Sequence, residues 1–459
     1  EGLTKAIDYV RKKRMPILVH AWCPLLGHHT SGVRKEWYRG DDLAKHEKQD
    51  PLIKFEKYLL ATGFTKKKLD EISKKALLKV KSDYKKALAS PDPEIEDFSS
   101  HEFAPTPITE EKGNRTPKGG EKVVMVDAAL HAVEEILKKH PEALLYGQDV
   151  GGRLGGVFRE AATLAQKYGD HRVFNTPIME AYIVGSTAGM SAVGAKPIVE
   201  IQFADYIWPG INQLVEELSK SCYITKGKFP IQSLIRVPIG AYGGGGPYHS
   251  GSVESALLTI RGIKIVYPSN AADMKGLMKA AFYDPNPVVM LEHKGLYWSK
   301  VPGTLGAKTI EPDKDYVIPL GKANKVQAAD PEKITNGESA VVITYGMGVY
   351  WAMEAAKAFP GQIEILDLRT LNPVDWDAIE AAVKLHGRAF VLTEEPLMNS
   401  FAESIAGRIA KLCFTYLDAP VWTFGAANLP AVPLNVDLEK AMLPNADKVK
   451  DELTKLLQF

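Results

Sequence analysis

The stretch that decides the fold runs from residue 172 to residue 203 and reads RVFNTPIMEAYIVGSTAGMSAVGAKPIVEIQF. A short strand-like run, RVFN, is followed by a proline turn, a helix of small residues and a second apolar run, PIVEIQF. Strand, helix and strand in this order predict two parallel strands joined by a crossover helix. Because crossover helices cover both faces of a parallel sheet, the stretch predicts an α/β fold.

The same alternation extends along the chain in both directions. A helical pattern at 127–140 leads to the strand ALLYG, and QSLIRVP, GIKIVYP and PVVMLEH follow as further buried strands. After a connection at 301–338 rich in Gly, Pro and Lys, a second block alternates AVVITYG, IEILDLR, AFVLTEE and APVWTFG with helices. We therefore predict a doubly wound parallel-sheet domain at 123–300 and a smaller α/β domain at 339–459.

The first part of the chain has a different pattern. Residues 1–88 begin with an amphipathic helix that leads to an apolar run at 17–19, which we interpret as the last strand of a larger parallel sheet. A loop at 23–40 follows, and the three- and four-residue apolar spacing at 51–88 predicts helices. Residues 89–122 are rich in Pro, Ser and charge and are predicted to be an interdomain linker.

The composition excludes several classes of function. The 459 residues carry 57 Lys and Arg against 56 Asp and Glu, so no global field favours nucleic acid or a membrane surface. The three cysteines are too far apart for a disulfide framework or a metal cluster, and they favour a reducing compartment. No apolar run approaches the roughly 18 residues of a membrane helix. The sequence contains no HExxH, no Cys pair and no short-spaced triad of His and carboxylate residues, so we expect no metal ligands in it. It also contains no P-loop or G-x-S-x-G motif.

Polar residues follow several of the predicted strands, where ligands bind in open α/β sheets. Glu180 starts a helix after a strand, and it is either a carboxylate stabilised by the helix dipole or a proton-handling acid in a cleft. Gln202 and Tyr206 follow the next strand, where capping and packing are the alternative roles. Gln148, in GQDVGG, lies in a Gly-rich turn that lacks the spacing of a phosphate cradle.

Two histidine-containing loops are further candidates. His249 follows the glycines and the proline in GGGGPYHSG at 243–251, which is either a loop shaped around a ligand with His249 at its tip or a mobile surface turn. His28 and His29 lie in GHHTSG, where adjacent histidines are as often incidental as functional. These residues alone predict only an α/β enzyme with one acid and one or two histidines.

Taken together and in order, five motifs indicate a family. VFNTPIMEAYIVGSTAGM, EIQFADYIWPGINQLVEE, GGGGPYHSGSVES, GIKIVYPSNAADMKGL and DLRTLNPVDWDAI closely resemble the β subunit of the thiamine-diphosphate-dependent decarboxylating component of 2-oxo acid dehydrogenase complexes. This resemblance covers residues 123–459. Upstream, GHHTSGVRKEWYRGDDLAKHEKQDPLIKFEKYLLATG resembles the C-terminal part of the same enzyme's α subunit, including its active-site loop. The resemblance implies an α–β fusion, with residues 1–88 the remnant of a second cofactor-binding domain.

The resemblance assigns the cofactor pocket. Glu180 matches the glutamate that hydrogen-bonds the pyrimidine nitrogen, which favours the imino tautomer that removes the thiazolium proton. Ile178, Gln202 and Tyr206 match positions that line the aminopyrimidine and thiazolium rings. Gln148 stands where the family has a glutamate near the cofactor, and its amide provides hydrogen bonds without charge.

The resemblance also assigns the two histidines as catalytic residues. His249 matches the proton donor for acyl transfer to a lipoyl disulfide, so the glycines would let the backbone close over the cofactor. His29 matches the α-loop histidine near the cofactor phosphates and the substrate. Thr30 and Ser31 occupy loop positions that some relatives phosphorylate.

The implied activity is oxidative decarboxylation of a 2-oxo acid with reductive acylation of a lipoyl-bearing dihydrolipoyl acyltransferase. EIQFADYI favours a branched-chain substrate such as 3-methyl-2-oxobutanoate, with pyruvate and acetoin types left open. The implied cofactors are thiamine diphosphate and magnesium, with room for a potassium ion. The magnesium-binding GDG…N element is absent from this sequence, so we expect it in an N-terminal segment outside it.

The resemblance further implies a homo-oligomer, a dimer of fused chains equivalent to a two-α, two-β heterotetramer. The bacterial cytoplasm is the favoured compartment, with the mitochondrial matrix left open. A transketolase-type enzyme and a non-catalytic scaffold half of a complex are the alternative functions.

Overall fold

The computed structural model describes residues 2–241 and 243–459, and the chain divides into two compact units, Glu1–Ile95 and Glu96–Phe459. In the described residues, every helix is either too short or too polar to cross a bilayer.

The first unit is helical. Its helices are α1 (Gly2–Lys13), α2 (Leu43–Glu47), α3 (Pro51–Ala61) and α4 (Lys66–Leu88). The side chains of Asp50 and Thr65 accept hydrogen bonds from the first turns of α3 and α4, which fixes where these helices begin. The buried strand predicted at 17–19 is wrong, because these residues form no strand in the structure and Leu18 is 93% exposed. A parallel strand needs a neighbour, and the described residues of this unit form none.

The second unit contains two α/β blocks. The first block comprises β1 (Lys122–Val123), α5 (Met125–Lys139), β2 (Ala143–Gly147), α6 (Leu164–Tyr168), β3 (Val173–Asn175), α7 (Glu180–Ala192), β4 (Lys196–Glu200), α8 (Trp208–Gln213), α9 (Ser221–Ile224), β5 (Ser233–Ile239), α10 (Glu254–Leu258), β6 (Lys264–Val266), α11 (Ala271–Tyr283), β7 (Pro287–His293), α12 (Lys294–Tyr297) and β8 (Thr309–Ile310). Strands β1 and β8 pair antiparallel with each other in a small two-stranded sheet. The second block comprises β9 (Asn324–Gln327), α13 (Pro331–Thr335), β10 (Ala340–Thr344), α14 (Gly348–Ala356), β11 (Ile363–Asp367), β12 (Thr370–Asn372), α15 (Trp376–His386), β13 (Ala389–Pro396), α16 (Phe401–Leu412), β14 (Trp422–Ala426), α17 (Val436–Met442) and α18 (Ala446–Leu456).

Strand order confirms the predicted α/β architecture. The seven-stranded sheet has the order β12-β6-β7-β5-β4-β2-β3, and its members pair in parallel except for β12. The five-stranded sheet has the order β14-β13-β10-β11-β9, with only β9 antiparallel. The strands β5 and β7 lie centrally and are buried along their whole length, as expected for a sheet covered on both faces.

The two sheets are joined by an exchanged strand. The short strand β12 follows β11 of the five-stranded sheet but pairs antiparallel with β6 at the edge of the seven-stranded sheet. Tyr267 N–H also donates to Arg369 C=O at 2.7 Å, just before β12. The second α/β block therefore supplies an edge strand to the first.

The segment predicted as a linker is divided between the units. Its part from residue 96 onward belongs to the second unit. Ala104 N–H donates to Asn286 Oδ1 at 2.7 Å, and the Arg115 guanidinium pairs with the buried carboxylate of Asp273. These polar contacts hold an irregular segment against the sheet domain, because each satisfies a buried partner.

Candidate active site

The carboxyl ends of the parallel strands β2, β3, β4, β5 and β7 share one edge of the seven-stranded sheet, and the predicted site residues of the second unit follow these ends. The placement is a consequence of parallel pairing, since parallel strands end on the same side. This edge is the candidate active site.

Glu180 is the first residue of α7, reached from β3 through the turn at 176–179. Its carboxylate therefore lies at the positive end of the helix dipole, which stabilises its charge. Gln148, which follows β2, donates its Nε2 proton to Glu180 Oε1 at 2.9 Å. The bond forms because β2 and β3 are neighbours, and it fixes one carboxylate oxygen.

A second contact orders the turn after β2. Gln202, which follows β4, donates from Nε2 to Asp149 Oδ2 at 2.9 Å. Asp149 has a left-handed backbone, with φ of 59°, a region that Asp tolerates better than most residues. The GQDVGG turn therefore carries two residues of the site, of which Asp149 was not predicted.

Tyr206 and His249 are hydrogen-bonded, with 2.8 Å between the Tyr206 hydroxyl and His249 Nε2. Phe203 packs edge to face against the imidazole, with ring centroids 4.6 Å apart and planes at 86°. Partial burial, with the charges of Asp205 and Glu180, raises the pKa of Tyr206. Glu180 is thus close enough to Tyr206 for its charge to act on the phenol, and Tyr206 is hydrogen-bonded to His249. The three residues therefore belong to one site.

The glycine-rich loop before His249 is held from below. Gly243, Gly244 and Gly246 have φ of 55°, 89° and 67°, which side-chain-bearing residues rarely adopt. Gly244 N–H donates to Glu439 Oε2 at 2.7 Å, an acceptor supplied by α17 of the second α/β block. The backbone angles of the glycines therefore let the Gly244 N–H reach the Glu439 carboxylate, while His249 stays exposed at the tip of the loop.

Lys294 lies under this loop at the end of β7. It is 5% exposed, and its Nζ makes no hydrogen bond within the described part of the chain. The ammonium lies 5.4 Å from the centroid of the Phe203 ring. Burial lowers the pKa of Lys294 to about 8, although the charges of Asp205 and Glu394 oppose that shift. The sequence analysis did not identify Lys294 or Phe203.

A buried charge cluster lies beneath the site. Arg236 on β5 donates two hydrogen bonds to Glu292 on β7, at 2.7 and 2.8 Å, and its Nη1 lies 3.5 Å from Glu200. Burial, with the neighbouring Glu160, raises the pKa of Glu200 well above its usual range. The cluster crosslinks the central strands directly below the residues that follow them.

The remaining predicted residues are placed separately. Ile178 is 82% exposed in the turn before Glu180. His29 is exposed in the first unit, beside a cavity of about 740 Å³ lined by residues 24–29, Val33 and Tyr38. Among the described residues, no group of three or more His, Cys, Asp or Glu side chains is arranged to hold a metal ion.

Three family models match the chain. They are described as "Dehydrogenase E1 component" over residues 3–96, "Transketolase, pyrimidine binding domain" over 121–299 and "Transketolase, C-terminal domain" over 331–449. The second of these contains Glu180 and His249. The order of the three matches agrees with an α-like part followed by a β-like part.

Curated relatives cover most of the second unit. The 2-oxoisovalerate dehydrogenase subunit beta of Bacillus subtilis is 35% identical over 337 residues, 73% of this chain and 98% of that protein. The subunit of the same name from Pseudomonas aeruginosa is 37% identical over 65% of this chain and 85% of its own length. The pyruvate dehydrogenase E1 component subunit beta of Acholeplasma laidlawii is 34% identical, over 73% and 98%.

A solved structure described as a split-gene transketolase, an inactive β4 tetramer, matches with a TM-score of 0.57 and 19% identity. The match covers 74% of this chain and 99% of that one. At this identity the likeness concerns the fold, and it agrees with the two-sheet arrangement described above.

Proposed function

Because the chain belongs to the family of thiamine-diphosphate-dependent 2-oxo acid dehydrogenases, with an α-like part and a β-like part in one polypeptide, we propose that it decarboxylates a branched-chain 2-oxo acid and passes the acyl group to a lipoyl arm. Two of the relatives above are named after 2-oxoisovalerate, which is 3-methyl-2-oxobutanoate, and one after pyruvate. The branched-chain acid is therefore the favoured substrate and pyruvate the alternative.

The observation that carries the proposal is the fit of one sheet edge to the aminopyrimidine half of thiamine diphosphate. The ring nitrogen of that group needs an acidic partner, and Glu180 offers a carboxyl at the N-terminus of α7, fixed by Gln148. Its flat ring needs apolar and aromatic surface, and Ile178, Phe203 and Tyr206 provide it.

When bound, thiamine diphosphate supplies the electron sink that lets a 2-oxo acid lose carbon dioxide. The chain's own contribution is to place protons. Glu180 holds a proton at the ring nitrogen, and Gln148 keeps the carboxyl from rotating away. Gln202 and Asp149 shape the wall beside it.

His249 acts in acyl transfer under this proposal. It is exposed, which a long lipoyl arm requires, and the Tyr206 hydroxyl at Nε2 fixes the orientation of the ring. A histidine is suited to donate a proton to the leaving sulfur, because its ordinary pKa lies near neutral pH. His29 on the loop of the first unit is proposed to act on the diphosphate and substrate side.

The remaining ligands and partners are also proposals. Magnesium and a potassium ion are proposed as further cofactors, while the lipoyl-bearing acyltransferase and a second copy of the chain are the proposed partners. The bacterial cytoplasm is the proposed compartment, since the three relatives above come from bacteria, with the mitochondrial matrix as alternative.

The deciding experiment uses the native full-length enzyme with thiamine diphosphate and magnesium. We expect carbon dioxide release with an artificial electron acceptor to be faster, by kcat/KM, from 3-methyl-2-oxobutanoate than from pyruvate. The two side chains differ by two methylenes, each worth about 10- to 200-fold in a fitted apolar pocket. Turnover of sugar phosphates without any 2-oxo acid would favour the transketolase-type alternative, and failure to bind thiamine diphosphate would favour a scaffold.

A further inference from the structure

We propose that Lys294 is a positioning residue for His249, and that it acts through the ring of Phe203. The inference rests on the proposed role of His249 in acyl transfer. It adds a residue that contacts neither the cofactor pocket residues Glu180 and Gln148 nor the imidazole itself.

Lys294, Phe203 and His249 contact one another in sequence. The Lys294 ammonium lies 5.4 Å from the Phe203 centroid, and the Phe203 ring packs edge to face on His249 at 4.6 Å. Tyr206 closes the arrangement, since it contacts Phe203 at 5.4 Å and bonds His249 Nε2. A shift of the Phe203 ring would therefore disturb both contacts that orient the imidazole, which are the edge-to-face packing of Phe203 and the hydrogen bond with Tyr206.

Lys294 lacks an ordinary structural role. A buried ammonium normally has hydrogen-bonding partners, because leaving them unmade costs free energy. Lys294 Nζ has none among residues 2–241 and 243–459, where the charges of Asp205 and Glu394 and the face of Phe203 stabilise it. A cation over a desolvated ring is attracted to it, so the lysine holds Phe203 in place.

The two acids also anchor the loop that carries His249. Both oxygens of Asp205 accept from Gly251 N–H at 3.1 Å, and Glu394 Oε1 accepts from Ala241 N–H at 2.6 Å. The two carboxylates whose charges stabilise Lys294 beneath Phe203 therefore also bind the two ends of the loop. We infer that Lys294, Phe203 and His249 are ordered together.

The test compares Lys294→Met, which keeps length and loses charge, with Lys294→Arg, which keeps a cation over the ring. We expect the Met variant to lose about 5- to 30-fold in acyl transfer to lipoyl, the worth of a desolvated cation–π contact, and less in decarboxylation with an artificial acceptor, where Phe203 only lines the cofactor. The Arg variant should recover most of the loss. Lys300→Met removes an exposed lysine 5.9 Å from the Trp298 ring and is the matched control.

A double-mutant cycle and a crystal structure test the route. In a Phe203→Leu background, Lys294→Met should cause no further loss of acyl transfer. Crystal structures of the Met variant without cofactor should show Phe203 displaced and the Tyr206–His249 bond lengthened. If that variant does not fold, Lys294→Gln takes its place.

Three results would overturn the inference: equal losses in the Met and Arg variants, an undiminished loss in the Phe203→Leu background, or an unchanged Tyr206–His249 bond in the variant crystal. Failure of the native enzyme to decarboxylate any 2-oxo acid would instead remove the proposed function. The crystallographic comparison still decides whether Lys294 orders His249.

Discussion

Replacing Glu180 by glutamine changes one side-chain atom and preserves the shape of the side chain. The amide oxygen of the new residue can still accept the 2.9 Å bond from Gln148 Nε2, which leaves its NH₂ where Oε2 stands now. The group facing the site becomes a donor that cannot carry a transferable proton. The structure thus predicts a loss of chemistry with little loss of packing.

The magnitude follows from the role. A positioned acid or base contributes about 10²- to 10⁴-fold, which is roughly 3–5 kcal/mol of barrier. The stability cost is smaller, since a carboxylate at a helix N-terminus is worth about 0.3–1 kcal/mol. We therefore expect decarboxylation of 3-methyl-2-oxobutanoate to fall at least 100-fold in Glu180→Gln, with a nearly unchanged melting temperature.

The assay measures carbon dioxide release with saturating thiamine diphosphate, magnesium and an artificial electron acceptor. The matched control is Glu216→Gln, since Glu216 is exposed and only forms a surface pair with Lys220 at 3.3 Å. Retention of more than about a tenth of wild-type kcat by Glu180→Gln, with cofactor affinity unchanged, would refute the proton-handling role.

Three further variants test other parts of the structure. His249→Ala should lower lipoyl acylation by about 100-fold or more and decarboxylation far less, and equal losses in the two assays would count against the assigned role. Arg236→Met leaves two buried carboxylates without their cation, so the free energy of unfolding in denaturant should fall by about 3–5 kcal/mol; a change near zero would contradict the buried ion pair. Burial raises the pKa of Asp367 to about 7 from 3.8, so its contribution to stability is complete below pH 4 and lost as the pH rises through 7. The free energy of unfolding of Asp367→Asn, relative to that of the wild type, should therefore rise by up to roughly 4 kcal/mol between pH 4 and pH 8, as measured by thermal unfolding. A difference between the two proteins that stays constant over this pH range would disprove the titration of Asp367.

The α/β class could be predicted from the sequence because the periodicity of apolar residues is a local property of each segment. The strands around residues 172–203 were predictable from apolar runs bounded by turns, and Glu180 from its place between a strand and a helix. The apolar run at 17–19 misled for the same reason, since a strand exists only if another strand pairs with it.

The contacts that build the site are not local. Tyr206 and His249 are separated by 43 residues, and only the order of strands brings them to 2.8 Å. Lys294 follows a strand that looks like any buried strand, and its role depends on a ring from another loop. The spacing of residues within one segment cannot predict contacts between distant segments such as these. His249 was instead identified as a candidate because whole motifs resemble those of a known family.

The exchanged strand β12 limits how this protein can be rearranged. If the chain were cut near residue 338, the backbone donors and acceptors of β6 would be open to solvent and to other molecules, an invitation to edge-to-edge aggregation. The glycine loop would lose the acceptor Glu439 at the same time. Recombination that swaps the C-terminal block for a homologous one must therefore match both a strand register and an acidic anchor.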